Sequence, residues 1–67
     1  MKAKELIKIL KKYDCFKVRQ KGSHARFQCD KCMTTVPVHA GEDLGKGLLR
    51  AIEKDLEPCL GERWLRS

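Results

Sequence analysis

The pattern of apolar positions predicts a helix at each end of the chain. Between Ala3 and Tyr13, apolar side chains recur every three or four residues, which is the periodicity of an amphipathic helix. The same periodicity returns between Lys46 and Leu56. Pro58 follows two residues later and is expected to end the second helix.

Between the two helices, apolar and polar residues alternate instead. Three stretches have this period of two, Cys15–Gln20, His24–Cys29 and Thr34–His39, and each is predicted to be a half-buried strand. The connections between them are only a few residues long, which favours an antiparallel meander. Pro37 cannot donate a ladder hydrogen bond, so the third strand is expected at a sheet edge.

The predicted order is therefore α-β-β-β-α. Two helices on one face of a three-stranded antiparallel sheet make an α+β fold, with the layout of a double-stranded-RNA-binding domain. We expect one domain over residues 1–67, with its core in 3–57 and a short C-terminal extension at 58–67. In that extension, Trp64 is predicted to pack against the domain.

The alternation also assigns side chains to the two faces of the predicted sheet. Phe16 and Val18 are predicted to point toward the helices, together with the apolar positions of the other strands. The opposite face would then carry a set of basic and imidazole side chains: Lys17, Arg19, Lys21, His24, Arg26 and His39.

Charge and length narrow the functional classes. The chain has 67 residues and a formal net charge of +6, a balance that favours an anionic partner such as nucleic acid. A chain of this size buries only ~60% of its unfolded surface, so chemistry is expected on a surface or in a shallow groove. No window approaches the ~20 apolar residues of a membrane span. The first residues lack the apolar run of a signal peptide, so we expect a cytoplasmic protein without a membrane partner.

The four cysteines are Cys15, Cys29, Cys32 and Cys59. Without a secretory signal, free thiols or a metal site are expected more than disulfides. Cys29 and Cys32 have the C-x₂-C spacing of half a zinc site, but a structural zinc ion needs four ligands. We therefore expect free thiols in a tight hairpin, with structural zinc as the alternative and no other cofactor.

The segment from Arg19 to His24 contains the candidate chemistry. Arg19 and Lys21 can hold phosphate, the arginine through a bidentate fork and the lysine as a point charge. Gly22 permits a turn with positive φ, and Ser23 suits a turn position or a phosphate contact. His24 supplies an imidazole, which can take up or release a proton near neutral pH. These groups fit cleavage of RNA, and they also fit RNA binding without catalysis.

Three segments resemble the HicA (YcfA-like) toxins of toxin–antitoxin pairs. They are Arg19-Gln20-Lys21-Gly22-Ser23-His24, Val36-Pro37-Val38-His39-Ala40-Gly41 and Leu44-Gly45-Lys46-Gly47-Leu48-Leu49-Arg50-Ala51-Ile52. The resemblance covers roughly residues 3 to 57. The cysteine-bounded turn from Cys29 to Cys32 and the extension from residue 58 onward depart from the shorter family members.

The resemblance implies ribosome-independent cleavage of mRNA, with His24 essential. It also implies a double-stranded-RNA-binding-like fold and a HicB-type antitoxin that covers the active surface. Attack by a ribose 2′-hydroxyl needs no metal, and His24 would act as its general base or as the general acid for the leaving oxygen. His39 is either the second proton carrier or a strand-end residue bonded to backbone.

On this hypothesis, the RNA would be held by a defined set of side chains: Arg19, Lys21, Ser23, Arg26 and Lys17. The competing hypothesis is a small non-catalytic RNA-binding module that uses the same basic face. Both predict salt-sensitive binding of RNA, so cleavage is the property that separates them.

Overall fold

The computed structural model describes residues 1–39 and 41–66. Ala40 of the second family-like segment and Ser67 of the extension lie outside the described residues. The elements are α1 (Ala3–Lys12), β1 (Phe16–Lys21), β2 (His24–Cys29), β3 (Cys32–Pro37) and α2 (Lys46–Leu60). This order confirms the predicted α+β class and is compatible with the layout of a double-stranded-RNA-binding domain. No helix in the described part is long and apolar enough to cross a membrane.

The sheet has the order β1-β2-β3, and both neighbouring pairs are antiparallel. β3 lies at an edge, as Pro37 predicts. It begins at Cys32, two residues before the predicted start, because Cys29 and Cys32 pair directly across the turn. It ends at Pro37, so the prediction that His39 lies within the strand is wrong.

The core occupies one side of the sheet, and residues from α1, β2, β3 and α2 meet there. Residues directly opposite each other on paired strands share a face. The buried residues of the sheet, together with buried residues of both helices, form one apolar cluster: Ala3, Leu6, Leu10, Cys15, Ala25, Phe27, Cys29, Val36, Ile52, Leu56 and Trp64. Thr34, buried on the same face, donates its hydroxyl hydrogen to Asp55 of α2 at 3.0 Å. We call this face the helix side and the opposite one the outer face.

The second helix continues past Pro58 to Leu60, so the prediction that the proline ends it is wrong. A proline lacks one backbone donor, and that loss is tolerated here because the last turn has other restraints. Cys59 is bonded to Cys32 of β3, and the Gly61 N–H donates to the Glu57 carbonyl at 2.9 Å. The chain then turns away at Gly61, whose φ is +97°.

The C-terminal extension packs onto the domain through Trp64, which is 3% exposed, and this confirms the predicted packing role. Its indole N–H donates to the Glu53 carbonyl at 2.8 Å. Its ring packs edge-on against the Tyr13 ring, with 5.8 Å between the ring centroids. The Glu53 carboxylate is buried and pairs with the Arg66 guanidinium at 3.2 Å. A buried carboxylate is tolerable only with such a partner, so Arg66 fixes the end of the extension.

The cysteines form two disulfides, Cys15–Cys29 and Cys32–Cys59, and no free thiol remains in the described part. The expectation of free thiols is therefore wrong. The zinc alternative at Cys29 and Cys32 also finds no support, since no group of three candidate ligands among the described residues could hold a metal. The strand register places Cys15, Cys29 and Cys32 side by side at one end of the sheet, with Cys59 of α2 against them.

Each disulfide is predicted to stabilise the fold by about 3 to 4 kcal/mol. The bridged residues are 14 and 27 positions apart in sequence. Closing loops of that size lowers the conformational entropy of the unfolded chain. Replacing both members of a pair by alanine, as in Cys32→Ala with Cys59→Ala, should lower the free energy of unfolding measured in urea by that amount. The unreduced parent should resist alkylation by iodoacetamide. Rapid labelling without reductant would contradict the paired state.

Candidate functional site

The turn between β1 and β2 consists of Gly22 and Ser23 and presents His24 at the first position of β2. Gly22 has φ +59° and Ser23 has no positive φ, which is the pattern of a type II′ hairpin turn. A Cβ at Gly22 would meet no atom within 4 Å, so the conformation and not the space requires glycine. The Ser23 carbonyl accepts a hydrogen bond from the Val38 N–H just beyond β3. The Gln20 side-chain amide of β1 donates to the Gly22 carbonyl at 3.0 Å, so the turn is held from both β1 and the residue after β3.

A β-bulge at Val18 changes the register of β1 on β2. Lys17 lies opposite Phe27, and the next paired residue is Arg19, which lies opposite Arg26. Val18 is the extra residue, so the faces of the strand exchange at this point. Without it, Arg19 would fall on the helix side instead of the outer face.

A side-chain contact in β1 agrees with this register. The Lys17 ammonium donates to the Gln20 side-chain carbonyl at 2.8 Å. Residues three apart in a regular strand point to opposite faces, so the two side chains can meet only because the bulge lies between them.

Two predicted placements in β1 are therefore wrong. Lys17 is on the helix side, opposite Phe27, and does not share the face of the other cations. Phe16 is on the outer face, opposite Gln28, and is 54% exposed. The alternation of apolar and polar residues does not reveal a bulge. The prediction from strict alternation therefore assigned Lys17 and Phe16 to the wrong faces.

The outer face carries four of the predicted site residues, and we call Arg19, Lys21, His24 and Arg26 the basic patch. Arg19 lies directly opposite Arg26, and Lys21 directly opposite His24. The like charges of Arg19 and Arg26 destabilise the sheet by roughly 0.2–1 kcal/mol in this position. The Arg26 guanidinium also donates to the Thr35 hydroxyl of β3 at 2.9 Å, which fixes its direction. The sequence analysis did not identify Thr35 as a site residue, because only its position in the alternating pattern placed it on the outer face.

Both histidines are neighbours of Pro37, one across the sheet and one along the chain. His24 is exposed and is the cross-strand partner of Pro37. His39 is also exposed, two residues beyond the end of β3, and lines a cleft of about 110 Å³ with Pro37 and the carboxylate residues Glu42 and Asp43. The strand register thus brings both imidazole-bearing residues to the same end of the sheet.

A larger groove of about 340 Å³ lies elsewhere. It is formed by the N-terminus, α2 and the C-terminal extension, and its lining residues are Met1, Lys46, Leu49, Arg50, Glu53, Leu65 and Arg66. None of the residues predicted to bind or cleave RNA lines it.

The domain thus combines an α-β-β-β-α fold with a basic patch beside a Gly-Ser-His turn. The family model described as HicA toxin of bacterial toxin–antitoxin matches residues 3–57. The chain therefore belongs to the HicA toxin family, whose toxins are paired with HicB antitoxins. No curated protein and no solved structure matches the chain.

Neutralising Arg19 of the basic patch is predicted to stabilise the fold. Arg19→Gln removes the like-charge contact with Arg26 and should raise the free energy of unfolding by about 0.2–1 kcal/mol at low salt. Added salt should shrink the gain because it screens exposed charges. The matched control is Lys17→Gln on the same strand, since Lys17 lies opposite the uncharged Phe27. A destabilised Arg19→Gln variant in urea denaturation would contradict the repulsion.

Proposed function

We propose that this chain is the toxin of a HicA/HicB-type pair and that it cleaves mRNA in the cytoplasm without a metal ion, using His24. The observation that carries the proposal is the pairing of two like charges on the outer face, Arg19 with Arg26, and the next row toward the turn places Lys21 opposite His24. A sheet gains nothing from facing cations, whereas a bound phosphate chain would neutralise them.

In this proposal, the phosphates of the RNA lie along the basic patch. Arg19 and Arg26 can each bind a phosphate through two N–H groups, and Lys21 adds a third cation near the turn. The hydrogen bond from Arg26 to Thr35 limits the motion of one guanidinium before RNA arrives. Ser23 is half-buried beside His24, where its hydroxyl can contact the same phosphate.

The proposed reaction is transfer of the phosphodiester to the neighbouring ribose oxygen. The His24 imidazole takes the proton of the 2′-hydroxyl, the 2′-oxygen attacks phosphorus, and the bond to the 5′-oxygen breaks. The leaving 5′-oxygen then receives a proton from a second donor. His39 lines a cleft with Pro37, the cross-strand partner of His24, and is the candidate for that role. The guanidinium groups stabilise the charge that develops on the phosphate oxygens.

The HicB antitoxin of the pair is proposed to cover the basic patch. The patch lies on a face that neither helix covers, so a partner can reach it without rearrangement of the domain. Complementary charge favours an acidic contact surface on the antitoxin.

His24→Ala is predicted to abolish RNA cleavage and growth inhibition while the fold and the affinity for RNA stay nearly unchanged. His24 is exposed, so its removal opens no core cavity, and such surface changes usually alter stability by less than ~0.5 kcal/mol. Loss of a general acid or base typically costs ~10²–10⁴-fold in rate. The assay is cleavage of a labelled RNA in the presence of a chelator, with a 2′-deoxy substrate that should remain intact.

His39→Ala is the matched variant, because it removes the other imidazole at the same end of the sheet. A smaller loss of rate than in His24→Ala would support a secondary role for His39. If the parent cuts no RNA, the chain is a non-catalytic RNA-binding module. If His24→Ala cuts as fast as the parent, the proposed site is wrong although the activity stands.

Affinity for RNA is predicted to fall linearly with the logarithm of salt concentration, by ~0.7 per phosphate contact on a single strand. Arg19→Ala or Lys21→Ala should weaken binding to all sequences and flatten that slope by about one contact. Lys17→Ala should change the slope less, since Lys17 lies on the helix side. Equal slopes in all three variants would mean that the RNA binds elsewhere.

A further inference from the structure

Three of the four aromatic side chains are engaged in packing. Phe27 and Trp64 are buried in the core, and Tyr13 packs edge-on against Trp64 and donates its hydroxyl to the Trp64 carbonyl. Phe16 differs, since 54% of it is exposed and it belongs neither to the apolar cluster nor to the residues packed against that cluster. The packing of the described chain therefore gives Phe16 no role.

The strand register places Phe16 on the same face as the basic patch. Phe16 lies opposite Gln28, which in turn lies opposite Met33, so these three residues form a row across the outer face. The next row toward the turn contains Arg19 and Arg26. Gln28 lies four residue positions along β2 from His24, a span of roughly 13 Å at about 3.3 Å per residue.

We propose that Phe16 is a stacking platform for an unpaired base of the bound RNA. This rests on the proposed function, because it takes the phosphates of that RNA to lie on the basic patch. Aromatic rings beside a cationic track are how proteins hold single-stranded RNA, since every base presents a face on which a ring can stack. The substrate implied is single-stranded at this position, with one base held a short distance along the strand from the bond that is cut.

The backbone around Phe16 is prepared for such a role. The preceding residue, Cys15, is bonded to Cys29 of the neighbouring strand, so the position of Phe16 at the end of the ladder is fixed. Little backbone entropy would be lost when a base stacks on a ring that is already held. A single exposed aromatic residue is common on protein surfaces, but here charge complementarity with RNA in the adjacent row specifies the occupant.

The test measures binding of a single-stranded 2′-O-methyl RNA oligonucleotide, which cannot be cleaved through its 2′-position. Phe16→Ala should weaken binding about five- to hundredfold, the range expected for loss of one base stack. The salt slope should stay that of the parent, because no ionic contact is removed. Phe16→Tyr should retain the affinity, whereas Phe16→Leu keeps an apolar side chain and should lose it.

Leu48→Ala is the control, since it truncates another exposed apolar residue, on α2 and away from the outer face, without removing a ring. It should bind like the parent, and a 2′-O-methyl duplex, whose bases are already stacked, should not distinguish Phe16→Ala from the parent. If the parent binds and cuts RNA but Phe16→Ala binds equally well, the stacking role alone is refuted. If Phe16→Ala instead loses only its HicB antitoxin, Phe16 is a protein contact. A parent that binds no RNA refutes both the stacking role and the proposed function.

Discussion

The register of β1 on β2 is the constraint on which the outer face depends. Side chains of a strand alternate between faces, so one extra residue reverses every position beyond it. Val18 is that residue. It places Arg19 on the outer face together with Phe16. In a regular strand these two residues, which are three positions apart, would point to opposite faces. The basic patch and the exposed ring therefore share a surface because of backbone geometry, and no side-chain interaction between them is needed.

The two faces of the sheet contribute differently to stability. The apolar cluster, both disulfides and the bond from Thr34 to Asp55 all lie on the helix side or join it to a helix. The outer face carries facing cations, which cost stability. A domain of this size has little stability to lose, so covalent bonds on one face are a physical means of tolerating repulsion on the other. Residues poised for a ligand commonly reduce stability in the free protein.

Periodicity predicted the features that depend on many residues. Both helices, the three strands and the α+β order followed from the spacing of apolar residues. The turn at Gly22 was predicted because glycine readily adopts the positive φ that it has there. Features decided by one residue or by distant contacts were not predictable. An alternating pattern looks the same on either side of the Val18 bulge. The disulfides depend on a row of cysteines that exists only once the strands pair, and α2 passes Pro58 because contacts outside the helix restrain its last turn.

The C-terminal extension adds to the domain without altering the proposed site. The family match ends at residue 57, yet the residues that follow are firmly attached through Cys59, Trp64 and Arg66. All of these attachments reach the helix side or the helices themselves. A segment that packs there can enlarge a small core while the outer face stays open to RNA or to an antitoxin. The separation of the two faces thus explains how a chain longer than its family's matched region keeps the same candidate site.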